Sequence, residues 1–332
     1  MLITIIIILG TAFMLYAILG GADYGAGIIE VFAGRKGERI ISKAIAPVWE
    51  ANHVWLILAI VILFTGFPQV FSTISTALHI PLMIVLIGIV LRGSSFTFRH
   101  YDVEEDITHK YYSLFFRISS FLTPVFLGVT LGAMILGEID PETTGSFYES
   151  YINPWFNLFC FGVGLFSASL FGYIAAVFML GEVESLGDRK RYIQLSKTFL
   201  ILTLVLGILV FLLAEMHGHH LVKEFFASGV SIFSFCVVFL LAPLIFYLFN
   251  HPNIIYLRVV AGLQVSLIML GWFAIQFPVL VYAKNGNHLT FYNTQAPAST
   301  LYQLLIALFI GLLLVVPAFW YLFKVFKGTG KN

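Results

Sequence analysis

Residues 197–216 read KTFLILTLVLGILVFLLAEM. No charge falls between Lys197 and Glu215. A helix rises 1.5 Å per residue, so a stretch of this length crosses the roughly 30 Å hydrocarbon core of a bilayer. Eight more apolar runs lie on either side, at about 2–31, 47–67, 77–97, 113–137, 155–181, 229–249, 255–282 and 300–326. The fold class this predicts is an all-α polytopic membrane protein of about nine transmembrane helices, with residues 1–332 as a single integral membrane domain. Composition agrees: 60% of the chain is hydrophobic and 11% charged, against about 25% charged in a soluble domain. A disordered chain, a nucleic-acid binder and an ordinary globular enzyme are thereby excluded. The net charge of +1 gives no pull towards polyanions. Cys160 and Cys236 lie in apolar runs without CxxC spacing and read as packing residues.

The first run has no basic residue before it, which argues for a retained helix rather than a signal peptide. Basic residues then set the orientation. Arg35, Lys36, Arg39 and Lys43 lie between runs one and two. Arg92, Arg99, Lys110 and Arg117 flank the gap between three and four. Arg189, Lys190, Arg191 and Lys197 lie between five and six, Arg258 between seven and eight, and Lys324, Lys327 and Lys331 follow run nine. Only Lys223 and Lys284 fall in the alternate loops, so sixteen of eighteen basic residues share one side. The positive-inside rule places that side, with the C-terminus, in the cytoplasm and the N-terminus outside, as in a prokaryotic cytoplasmic membrane.

An ionisable residue in a span costs about 2.5–3.5 kcal/mol on insertion scales, so each is a functional candidate. Asp23, Gly27 and Glu30 are spaced i, i+4, i+7 and share a helix face. Gly21, Gly25 and Gly27 narrow that face and admit a neighbouring helix. At the start of run two, Glu50 and His53 (i, i+3) also share a face, with Trp49 nearby. A carboxyl beside an imidazole can relay protons, although Pro47 and Glu50 also suit an ordinary helix start. His53 and His79 are the intramembrane histidines. They fall near opposite faces, so they do not clamp one haem. His217, His219 and His220 form a cluster that reads as a wet loop, with zinc or copper binding as the sharper alternative. Arg92 and Arg99 suit snorkelling; their sharper reading is an anion partner such as a haem propionate on a neighbouring chain.

At these residues the chain resembles subunit II of the cytochrome bd quinol oxidases. Gly21-Ala22-Asp23-Tyr24-Gly25-Ala26-Gly27 is similar to that family's first-helix Gly-Phe-Asp-x-Gly-x-Gly. Pro47, Trp49, Glu50, Asn52, Trp55 and Leu56 stand at the places of its Pro-x-Trp-Asp-Gly-Asn-x-x-Trp-Leu. Arg92, Phe96 and Arg99 match a basic third-helix segment, and Phe277-Pro278, Leu289-Thr290 and Ser299-Thr300-Leu301 a late outer segment. Two departures stand out. Gly20 occupies a place where the family often has a further Asp, and Glu50 replaces the motif's Asp.

The resemblance implies two four-helix bundles plus a peripheral helix. It implies a quinol:oxygen oxidoreductase, part of a respiratory electron-transport chain, in which this chain ligates no haem and holds no catalytic centre or metal. Haem b and haem d would sit on a partner subunit I, quinol would be the substrate, and lipid and small single-span accessory subunits would be further neighbours. Asp23 and Glu50, with His53, would form part of a cytoplasmic proton path. Trp49, Asn52, Trp55, Arg92 and Arg99 would face the partner or a haem propionate. Two other readings remain at this stage: a proton-coupled secondary transporter, and a divergent member of the family with another electron acceptor.

Overall fold

A computed structural model describes residues 1–101, 107–143, 145–219, 221–250 and 253–328. Among them, nine helices are long and apolar enough to cross a membrane: α1 Leu2–Gly34, α2 Trp49–Gly66, α3 His79–Arg99, α4 Ile107–Leu136, α5 Leu158–Met179, α6 Leu186–Met216, α7 Gly229–Asn250, α8 Ile254–Gln276 and α9 Ala298–Tyr321. The chain is therefore an all-α polytopic membrane protein.

Helix ends follow local chemistry more than hydropathy. α6 begins at Leu186, well before the apolar run, because the Ser185 hydroxyl accepts from the Asp188 amide and carries the helix through its polar first turns. α8 stops at Gln276 rather than at 282. Phe277 is extended (φ −63°, ψ 133°), as a residue before proline prefers. The strand Val279–Val281 (β1) follows and pairs antiparallel with Leu289–Thr290 (β2). α1 bends at Gly34, whose φ of 68° is open to glycine at little cost. Its second leg continues to Ile45. Arg191 donates to the Phe32 carbonyl beside the bend, and Lys36 pairs with Asp188 at 2.6 Å. The bend is thus tied to the start of α6. Earlier in α1, Tyr16–Gly20 form a single π-helical turn.

The helices form two groups of four. α1 packs on α2 and α4, and α3 on α4; α5 packs on α6 and α8, and α7 on α8. α1 and α4 both pack on α5, which joins the groups, while α9 lies against α2. The join is close because side chains are missing where the helices cross. A Cβ on Gly25 would lie 1.8 Å from the Phe171 carbonyl oxygen, and one on Gly128 2.7 Å from the Gly164 Cα. Small residues let helix backbones approach in this way, so van der Waals packing can hold them without a hydrophobic drive between helices.

Gly25→Ala forces α1 away from α5 and is expected to cost about 1–3 kcal/mol or more. Gly262→Ala, where an added Cβ meets nothing within 4 Å, is expected to be neutral or slightly stabilising. Thermal unfolding of the two variants in detergent checks the contrast.

Candidate functional site

Asp23 and Glu30 stand two turns apart on α1, and Arg92 and Arg99 two turns apart on α3. The two helices run in the same direction, so one register pairs both sets. Arg92 Nη2 donates to Asp23 Oδ1 at 2.7 Å and to the Asp23 carbonyl at 3.0 Å. Arg99 Nη1 donates to both Glu30 carboxylate oxygens, at 2.9 and 3.0 Å. All four residues are 5% exposed or less. A charge at that depth is tolerated only when paired and hydrogen-bonded.

α4 runs the other way and forms the third wall. Ser120 accepts from Arg92 Nε at 3.2 Å. Arg117 Nε donates to Glu30 at 2.9 Å, and its Nη2 reaches Glu38, on the second leg of α1, at 3.1 Å. The Phe116 ring lies under both buried guanidinium groups, 5.0 Å from Arg92 and 4.3 Å from Arg99. Delocalised arginine cations suit such stacking. At the end of the series, Ser113 donates to Glu38 at 2.6 Å, and His109 Nε2 lies 3.0 Å from the same oxygen. Partial burial raises the Glu38 carboxyl. The Ser113 and His109 contacts and the Arg99 and Arg117 charges outweigh it and hold the group below its usual range. Three acids on α1 are thus matched by three arginines from α3 and α4.

Above Asp23 lies a second, mostly uncharged cluster. The Tyr16 hydroxyl donates to the Tyr24 hydroxyl at 3.2 Å. The His53 ring sits 6.1 Å from Tyr16 and 5.8 Å from Tyr24. Arg92 lies 5.0 Å from the Tyr24 ring centroid. Asp23 Oδ2 and His53 Nδ1, and on the same stretch of α2 Asn52 Oδ1 and Trp55 Nε1, are buried without a hydrogen-bond partner among the described residues.

The residues singled out from sequence fall into separate places. Asp23 and His53 border the same cluster, Asp23 through its Arg92 clasp. Glu50 does not join them: it is exposed. Trp49 packs on Phe96 of α3 at 5.7 Å, and Trp55 on Phe319 of α9 at 5.6 Å. Arg92 and Arg99, read as partners for an external anion, are turned inward instead. Each already holds a carboxylate of this chain, which leaves no buried donor fork facing outward. Gly27 lies on α4, where a Cβ would be 2.1 Å from Ser120 Oγ, and Gly21 on the Phe171 ring. His217 Nδ1 is 2.9 Å from the Leu213 carbonyl and His219 Nε2 3.7 Å from Glu224; His220 lies outside the described residues. No group of three or more metal-ligating side chains occurs among the described residues. Glu38, Ser113 and His109 join the site without a local sequence signal. For the two buried pairs, the available signal was the equal spacing of seven in Asp23/Glu30 and Arg92/Arg99.

The described residues do not fit a haem held by this chain. His53 stands at the start of α2 at the basic end, packed on two tyrosines. His79 stands at the start of α3 at the other end, with Nδ1 2.8 Å from the Thr76 carbonyl.

These features define a class: a multi-pass helical membrane protein with a charge-balanced ion-pair ladder at one end. The model of the cytochrome bd terminal oxidase subunit II family matches residues 1–326, and the chain belongs to that family. It is 27% identical over 198 residues to cytochrome bd-I ubiquinol oxidase subunit 2 of Escherichia coli K12, covering 57% of this chain and 47% of that one. It is 30% identical over 175 residues to cytochrome bd ubiquinol oxidase subunit 2 of Bacillus subtilis, covering 49% and 52%. The matched stretch thus spans about half the length of these two relatives. The putative cytochrome bd menaquinol oxidase subunit II of Bacillus subtilis aligns over 98% of this chain and 95% of that one at 23% identity. The fold matches a chain of the bd oxidase from Geobacillus thermodenitrificans with a TM-score of 0.80 over 99% of each chain, at 20% identity.

Two outcomes test the ladder. Glu30→Gln leaves Arg99 short of its counter-charge and is expected to destabilise by about 3–5 kcal/mol, read by unfolding in detergent. Because the Glu38 carboxyl is held low, its contribution to stability is full above the ordinary carboxylate range and is lost as pH falls through its folded value. The acid limb of a stability-against-pH curve is therefore expected to be shallower in Glu38→Gln than in the parent.

Proposed function

We propose that this chain is the non-haem-ligating subunit II of a cytochrome bd-type quinol:oxygen oxidoreductase. It would lie in a bacterial cytoplasmic membrane beside a haem-bearing subunit I, with lipid and any small single-span subunits around it. The observation that carries this is the family match over residues 1–326, and it favours an oxidase subunit over a transporter acting alone. The clustering of basic residues supports an N-terminus outside and a C-terminus in the cytoplasm. Haem b and haem d on the partner would supply the reduction of oxygen to water.

In this reading the chain's own residues bring protons from the cytoplasmic side. Glu50 is exposed at the basic end and exchanges protons with water. Asp23 is the buried holder: Arg92 fixes Oδ1 and leaves Oδ2 open to a proton. Glu30, with both oxygens held by Arg99, is a structural acid. Asn52 and Trp55 carry buried polar atoms without partners, and with Trp49 they form the stretch of α2 that would meet subunit I.

The test is purification of the complex through a tag on this chain. Co-purification of a haem-bearing membrane chain with quinol-driven oxygen uptake is expected; a colourless single chain would contradict the reading. In the active complex, Glu50→Ala is expected to slow oxygen uptake more than about tenfold without altering the haem spectrum, with Glu50→Gln behaving alike. Full activity in both variants would remove Glu50 from the path.

A further inference from the structure

A short helix, Leu221–Ala227, connects α6 to α7 at the end of the second helix group opposite the ion-pair ladder. Its start is pinned. Leu221 is 2% exposed, and the Val222 amide donates to Glu215 Oε1, at the end of α6, at 3.1 Å. Glu224 follows three residues after Leu221 and shares its inward face. Between that face and the last turn of α8 lies a small cavity. Ile135, Leu221 and Ile275 form its apolar wall, and Glu224, Trp272 and Tyr282 its polar one. Its volume of about 10 Å³ is room for one water and little else.

Two buried atoms of the polar wall lack a hydrogen-bond partner among the described residues: Glu224 Oε2 and Trp272 Nε1. The first, on an ionised carboxylate, can only accept, and the second can only donate. His219 Nε2 lies 3.7 Å from Glu224 Oε2, longer than a direct hydrogen bond, and its ring covers Tyr282 at 5.7 Å. A buried donor or acceptor left unmade costs its full desolvation penalty. The walls are also held apart by their own backbone ties. The Tyr282 amide donates to the Met134 carbonyl at 2.9 Å, and Gln276 Nε2 to the Leu280 carbonyl at 3.0 Å.

The occupant is defined by these groups. It must accept from an indole N–H, donate to a carboxylate and fit the volume. A metal ion fails because the indole N–H offers it no lone pair, and ammonium fails because it cannot accept. Chloride fails because it cannot donate to Glu224. We propose that one water molecule is bound here, accepting from Trp272 Nε1 and donating to Glu224 Oε2. Such bridges are nearly as good as direct hydrogen bonds, and two partners lie within the usual range for a buried water. The water is then the polar joint between the α6–α7 connection and the end of α8. This inference rests on the packing of this chain alone and stands apart from the oxidase reading.

The experiment is a density map of the protein purified in its native assembly, at a resolution where other buried waters are seen. Expected is one peak about 2.7–3.2 Å from both Trp272 Nε1 and Glu224 Oε2. Resonance Raman spectra of the indole N–H give a second readout, with Trp272→Phe assigning the Trp272 band by difference. That band is expected in its hydrogen-bonded position in the parent and in Glu224→Gln, which keeps an acceptor at similar reach. In Glu224→Met, which keeps the length and removes the acceptor, the peak is expected to vanish and the band to move to the unbonded position. The parent map and band decide the question even where Glu224→Met fails to assemble. An empty cavity beside other visible waters would overturn the proposal. So would an unbonded Trp272 band in the parent, a peak that touches Glu224 but not Trp272, or a peak that persists in Glu224→Met.

Discussion

The arrangement depends on one electrostatic constraint. Two carboxylates seven residues apart on α1 meet two guanidinium groups seven residues apart on α3, in a region where an unpaired charge is prohibitive. Sliding either helix by one turn would bury four mismatched charges, so the pairs fix both the height and the rotation of α1 against α3. α4 is locked by the same residues, because Ser120 and Arg117 complete the coordination of Arg92 and Glu30. The close approach this needs comes from glycine: with any side chain on Gly27, Ser120 could not reach its place. The ion pairs and the glycine seam are two parts of one packing solution. Pairs of this kind specify geometry more surely than they add net stability.

The constraint also sorts the acids by what they can do. Glu30 has both oxygens held by arginine and sits in a closed charge balance with Arg99, Arg117 and Glu38. Asp23 has one oxygen held and one left over. The leftover oxygen is buried without a hydrogen-bond partner among the described residues. A carboxylate fully occupied by guanidinium forks has little capacity to take up a proton, whereas a half-occupied one can. In the proposed reading, the boundary between scaffold and proton path runs along α1 between residues 23 and 30.

Much of the fold was legible in the sequence. Hydrocarbon thickness imposes a minimum apolar length, and the alternation of Arg and Lys between loops marks which runs are spans. The ends were less legible. Ser185 starts α6 eleven residues before the apolar run, and Pro278 stops α8 inside one, because caps and prolines govern helix ends while hydropathy reports only lipid contact. The site was half legible. Asp23 was found from its depth and His53 from its span. Arg92 and Arg99 were given an external partner because their true partners lie 69 residues away in sequence, and nothing local announces such a pairing. Glu50 was grouped with Asp23 by motif, yet its side chain points to the surface. The π turn left no hydropathy signal at all, since Tyr16–Gly20 reads as one more apolar stretch. Gly20, noted as the place of a missing acid, proves to be the seat of the Tyr16 ring.

The most direct test of the central claim is a double-mutant cycle on Asp23 and Arg92, with Asp23→Asn, Arg92→Gln and the double variant compared by unfolding in detergent. Each single change strands one buried charge and is predicted to cost about 3–5 kcal/mol, with the double variant recovering a large part of that loss. Single-variant losses that simply add in the double variant would show that the two residues are not coupled, and would contradict the account of how α1, α3 and α4 are held in register.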